Sequence, residues 1–138
     1  MSLYAGGCHC GRLSARFETA LDPETIEVRA DQCGFCRRHG AKTVSDPHGR
    51  LTLAFREADV RRHRFGARTA DFLICRTCGH YVAAVIDDGF GVLNVVGADI
   101  QPFAVLQAVP VDYDDETPAS RLERRRARWT PVTLEIAA

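Results

Sequence analysis

Nowhere does the sequence contain an apolar run long enough to cross a bilayer, and its first twenty residues hold none long enough for a secretory signal. It has no excess charge of either sign, because 18 Lys and Arg are balanced by 18 Asp and Glu. That balance argues against a general nucleic-acid binder, which usually carries a basic surplus. There is no internal repeat beyond its cysteine pairs and no low-complexity linker, so 138 residues read as one domain spanning 1–138. Hydrophobic residues make up 46% of the chain, which supports a modest core and argues against disorder. The expectation is a cytoplasmic protein without a membrane partner.

What the chain does have is six cysteines in three close pairs: Cys8/Cys10, Cys33/Cys36 and Cys75/Cys78. Fifteen disulfide pairings are open to six cysteines, but they need an oxidising compartment, and no signal sends the chain to one. Metal ligation is the stronger reading. Cys8-His9-Cys10-Gly11 and Cys75-Arg76-Thr77-Cys78-Gly79-His80 each place glycine directly after the second cysteine. A tight turn then aims two sulfurs at one point, and two such knuckles supply the four soft ligands of a tetrahedral zinc. Closing the long loop between them costs only a few kcal/mol. A structural zinc supplies about 10–16 kcal/mol in small domains, so the clip is favourable.

Taken in order, the chain is dominated by period-two alternation. Arg12–Glu18, Thr25–Ala30 and Leu51–Phe55 read as half-buried strands, and the second of these leads straight into the Cys33/Cys36 pair. Glu57–Val60 reads as a single turn, Arg61–Phe65 as a short strand and Asp71–Ile74 as an apolar strand ending at the third pair. Tyr81–Ile86 and Phe90–Val96 flank Asp87-Asp88-Gly89, a hairpin signal. Thr117-Pro118 offers an N-cap and a first-turn proline for a helix running to Arg128, and Val132, Leu134 and Ile136 alternate in a last strand. Many short strands with one or two short helices mean a mainly β domain.

Three segments carry a resemblance: Gly6-Gly7-Cys8-His9-Cys10-Gly11, Cys33-Gly34-Phe35-Cys36-Arg37-Arg38, and Phe72-Leu73-Ile74-Cys75-Arg76-Thr77-Cys78-Gly79. In order and spacing they resemble the glutathione-dependent formaldehyde-activating enzyme family, which includes the centromere protein V group. The similarity covers residues 6–99 and leaves 112–138 as a C-terminal extension. It implies a β-tent, two small antiparallel sheets leaning together and clipped by zinc. It also implies a structural zinc on Cys8, Cys10, Cys75 and Cys78, and a catalytic zinc on a C-x-C-x-x-C segment. The implied activity is that of S-(hydroxymethyl)glutathione synthase, a carbon–sulfur lyase acting on adducts of glutathione or another thiol with an aldehyde.

The sequence departs from that pattern at one position: the segment reads Asp31-Gln32-Cys33-Gly34-Phe35-Cys36. Asp31 can ligate through oxygen beside Cys33 and Cys36; the missing ligand can come from His39, His48 or His80; or the pair can be plain thiols. Three ligands plus water is the usual catalytic count, but a carboxylate suits zinc less well than a third thiolate. The alternative to an enzyme is a zinc-clipped binding module with the structural metal alone. Arg37, Arg38, Arg62 and Arg64 are candidates, by residue type, for the carboxylates of a glutathione-like substrate. Other features have plainer readings. His9 is a solvent-facing turn residue, His80 starts a strand, His63 is exposed and Trp129 covers the core. The Asp112–Glu116 and Arg121–Arg128 runs suit the dipole of the helix between them.

Overall fold

A computed structural model describes residues 1–138. The chain is mainly β, with strands β1 (Ser2–Gly7), β2 (Ser14–Thr19), β3 (Arg29–Asp31), β4 (Thr43–Val44), β5 (Arg50–Arg56), β6 (Val60–His63), β7 (Asp71–Cys75), β8 (Tyr81–Ile86), β9 (Phe90–Asn94), β10 (Val109–Val111) and β11 (Thr130–Ala137). Two α-helices accompany them, α1 (Gly34–His39) and α2 (Pro118–Arg128), with 3₁₀ turns at Glu57–Asp59 and Phe103–Val105. No helix is long and apolar enough to cross a membrane.

The strands form two sections that share β11. In the first, β1, β2 and β5 run antiparallel in sequence, and β11 adds to β5 in parallel, pairing Val132–Ala137 with Leu51–Arg56. In the second, β6, β7, β8 and β9 form an antiparallel meander, and β9 continues through β4 to β3. Thr130 and Pro131 pair with β9 before the chain crosses to β5, which joins the sections. Two pairings depart from the antiparallel expectation, β11 with β5 and β10 with β3, and both are parallel. Each brings a late segment back beside an early strand through a long connection, the connection that parallel pairing requires.

Most of the alternating segments become strands within a residue or two of the expected limits. Thr25–Val28 is an exception. Ile26 and Val28 are buried as the alternation requires, yet the backbone turns, with the Thr25 and Ile26 N–H groups on Asp22 O. Only Arg29–Asp31 finds strand partners. α1, β1, β4 and β10 have too few residues, or too irregular an apolar pattern, to be read from sequence.

Two apolar clusters fill the interior. The larger includes Cys8, Leu13, Phe17, Leu53, Leu73, Cys75, Val82 and Phe103. The smaller gathers Cys36, Ala41, Tyr81, Ala84, Ile86, Val92 and Trp129. All six residues of β8 are buried because the strand separates the two, with Val82 and Val85 facing one cluster and Tyr81, Ala84 and Ile86 the other. A register shift at Leu73/Ile74 in the β7–β8 ladder interrupts strict alternation there. Each cluster contains cysteines of one candidate site.

Candidate metal centres and the adjoining cleft

The first and third cysteine pairs converge. The sulfurs of Cys8, Cys10, Cys75 and Cys78 lie within 4.8 Å of one another. The Cys8–Cys10 separation is 3.7 Å and Cys10–Cys75 is 3.4 Å. Four thiolates at about 2.3 Å from a central ion would stand about 3.8 Å apart, so the group has the dimensions of a tetrahedral metal site. A disulfide needs sulfurs at about 2.05 Å, and all six cysteines are free.

The two knuckles share one construction. The Gly11 N–H donates to Cys8 O at 2.9 Å and the Gly79 N–H to Cys75 O at 2.9 Å, closing a tight turn in each. Gly11 and Gly79 have φ of 83° and 79°, a left-handed conformation that a side chain would strain. The Leu13 N–H points at Cys8 Sγ, 3.3 Å away. Burial pushes the Cys8 thiol up to about 12, whereas the backbone and side chain of Arg12 donate to Cys10 and bring it down to about 6. Burial opposes ionisation of Cys78, but backbone N–H groups of Cys10 and His80 hold it below the ordinary thiol value. A metal ion displaces the remaining thiol protons as it binds.

The second group is Asp31, Cys33 and Cys36, whose ligand atoms also lie within 4.8 Å of one another. β3 ends at Asp31, and Asp31 Oδ1 accepts the Cys33 N–H at 2.9 Å. Cys33 then caps α1, with its sulfur accepting the Cys36 N–H at 3.4 Å. Contact with the Cys36 thiol, helped by that backbone bond, lowers the Cys33 thiol to about 7, and the same thiol–thiol contact together with burial pushes Cys36 far up. A strand end and a helix start fix all three side chains, and the three donors fit an ion with a fourth position open.

His39, His48 and His80 do not join either group. His39 packs on Phe35, with ring centroids 4.5 Å apart, His48 is exposed, and His80 lies beside His9 with centroids 6.4 Å apart. His63 is not fully exposed; it stacks on Phe35 and Phe65.

A cleft of about 370 Å³ opens beside this second group, bordered by Asp31, Cys33, Arg37, Phe65, Tyr113 and Arg124. At its inner end is a chamber of about 40 Å³, and Asp31, Phe72, Tyr113, Arg124 and Arg125 border both spaces. Of the arginines expected near a substrate, Arg37 lines the cleft. Arg62 and Arg64 are instead held by Asp71, Arg62 also by Glu57 and Arg64 by Asp87. The C-terminal segment supplies the others. Arg124 forks onto Glu116 and lies over the Tyr113 ring, its guanidinium carbon 3.5 Å from the ring centroid. Arg125 donates to Thr69 Oγ1 at 2.7 Å and lies over Trp129. Arg29 and Arg125 are each 8% exposed, and burial lowers both guanidinium values, Arg125 to about 10. The sequence signal for this wall is the spacing of Arg121, Arg124, Arg125 and Arg128, which puts four arginines on one helix face.

No protein-family profile matches the chain. No curated protein matches it either. Among solved structures, a Rhodobacter sphaeroides protein determined in a structural-genomics programme is similar, with 27% identity and a TM-score of 0.57. The match covers 78% of this chain and 99% of that one. It supports a shared architecture and names no activity.

Proposed function

We propose that the protein is a zinc-dependent carbon–sulfur lyase of the formaldehyde-activating type, which makes or breaks the bond between the sulfur of a small thiol such as glutathione and the carbon of an aldehyde. The observation that carries this reading is the meeting of Asp31, Cys33 and Cys36 at the edge of an open cleft. Cys8, Cys10, Cys75 and Cys78, by contrast, border neither the cleft nor its inner chamber. One group is built like a clip and the other like a site with a vacancy for substrate.

In this reading Cys8, Cys10, Cys75 and Cys78 hold a structural zinc, and Asp31, Cys33 and Cys36 hold a second. A zinc ion at the second group would supply Lewis acidity, lowering the pKa of a thiol and polarising a carbonyl oxygen. Cys33 and Cys36 serve as ligands, not as nucleophiles. Asp31 keeps Oδ1 on the Cys33 N–H, which leaves Oδ2 for the ion. Phe65, Phe72 and Tyr113 give the cleft an aromatic wall against which the carbon chain of a substrate can pack. In the condensing direction the thiol loses its proton, the sulfur electron pair forms the carbon–sulfur bond, and the carbonyl π pair moves to oxygen, which is protonated. The reverse returns thiol and aldehyde, and neither direction changes oxidation state overall.

Metal counting on the purified chain tests this. The expected result is near two zinc per chain, falling to near one in Asp31→Ala. One zinc in both would remove the second centre and leave the zinc-clipped binding module instead. Exchange NMR of glutathione with formaldehyde should then show interconversion faster than the spontaneous rate, and slower again in Asp31→Ala.

A further inference from the structure

Arg29 and Arg125 are both more than nine-tenths buried, and neither has a carboxylate at ion-pair distance. Arg29 is satisfied in part by Ser45 Oγ at 2.6 Å and Arg125 in part by Thr69 Oγ1 at 2.7 Å. Arg125 Nε is buried and has no hydrogen-bond partner. Arg29 and Arg125 both line the same 40 Å³ chamber. Two buried cations sharing a small cavity, one with an N–H left over, are costly unless an anion sits between them. The volume is about three times the minimum for one water, which suits a single carboxylate group and not a whole substrate.

Asp31 also borders the chamber, but its Oδ1 is taken by the Cys33 N–H and no arginine reaches it at ion-pair distance. Cys36 and Tyr81 complete that side, and β3, β8 and α2 contribute the walls. The chamber is the inner end of the cleft beside Cys33, so a ligand can put one end among the arginines and the other near the two thiols.

We propose that this chamber is a carboxylate-binding pocket, formed by Arg29 with Arg125 of the C-terminal helix, that anchors the acidic end of a small ligand whose other end reaches Asp31, Cys33 and Cys36. That the ligand is the thiol substrate rests on the lyase reading above; the pocket itself does not. The pocket selects thiols that carry a carboxylate over neutral thiols of the same size.

Calorimetric titration of the zinc-loaded chain tests this with 3-mercaptopropionate and its neutral isostere 3-mercaptopropionamide as probes. The acid should bind about 30-fold more tightly or better, the range expected for a buried charge pair. Acetate should compete with it. The preference should vanish in Arg125→Gln and survive in part in Arg125→Lys. Equal affinity of the wild-type chain for the two thiols overturns the proposal, and this comparison needs no variant to fold. A preference that persists undiminished in both Arg125→Gln and Arg29→Gln overturns it as well. Exchange NMR separates the two readings. A carboxylate preference without accelerated exchange removes the lyase and keeps the pocket, whereas acceleration equal for both thiols keeps the lyase and removes the pocket.

Discussion

At the scale of single residues, Asp31 and Glu116 show how one carboxylate can serve a site and another can hold up its wall. Asp31 ends β3, accepts the Cys33 N–H and lies with two thiols in a group that could hold an ion, where its oxygen is a harder donor than a thiolate. Glu116 meets Arg124 through both oxygens and Arg121 through one, with side chains only 15–21% exposed. Arg124, and after it Arg121, hold the Glu116 carboxyl below its ordinary value. A carboxyl depressed in the folded state contributes stability that is present above its unfolded value of about 4.5 and is lost as pH falls through the lower folded value. Glu116→Gln should therefore cost about 1–2 kcal/mol at pH 7, a charge-assisted pair discounted for partial exposure. The gap between variant and wild type in urea unfolding should close as pH drops below about 4.5. A gap independent of pH would assign the loss to packing.

At the scale of elements, α1 is six residues long and could not persist alone, because isolated helices this short are unstable in water. Its capping by Cys33 and the left-handed Gly40 help, but Phe35 is what ties it down. The Phe35 ring centroid lies 5.0 Å from those of Phe65, Phe72 and Tyr81 and 5.5 Å from that of His63. The cluster joins the helix that carries the second cysteine pair to β6, β7 and β8. Each such aromatic pair contributes about 0.5–1.5 kcal/mol beyond area burial. Phe35→Ala, at a half-buried position, should cost about 2 kcal/mol in thermal unfolding. Chelator competition should show weaker metal retention at Cys33/Cys36 and unchanged retention at the four-cysteine group. Equal weakening of both would mean that the helix does not position the second group by itself. α2 is different, since its Thr117–Ser120 capping box and Pro118 at the first turn are written in adjacent residues.

At the scale of the molecule, the two sheet sections and the two apolar clusters meet along β8 and β11. The last strand is no appendage to the cysteine-bearing region: Val132–Ala137 pairs with β5 while Thr130 and Pro131 pair with β9. The Thr130 hydroxyl also accepts the Asp46 N–H at 2.8 Å, and Asp46 in turn receives the Thr19 hydroxyl at 2.6 Å. Those buried bonds tie β11 to β2 and to the loop before β5. A chain ending at Arg128 should lose its cooperative thermal transition even with zinc in excess. Retention of a sharp transition by circular dichroism would mean that residues 2–111 fold independently.

Local order was legible in the sequence wherever its cause was local. The knuckle glycines, the Asp87-Asp88-Gly89 hairpin, the Thr117-Pro118 helix start and the alternation of β2, β5 and β11 all follow from steric and hydrogen-bonding preferences of neighbouring residues. Even the convergence of Cys8/Cys10 with Cys75/Cys78 was readable, because tetrahedral coordination needs four ligands and two matched turns supply two each. The cleft was not. Arg29 and Arg125 stand far apart in the chain, and a guanidinium looks the same in sequence whether it is exposed or buried. Only the assembly of β3, β8 and α2 around one space brings the two buried arginines together. Burial is a property of the assembled surfaces, and no single stretch of chain contains it.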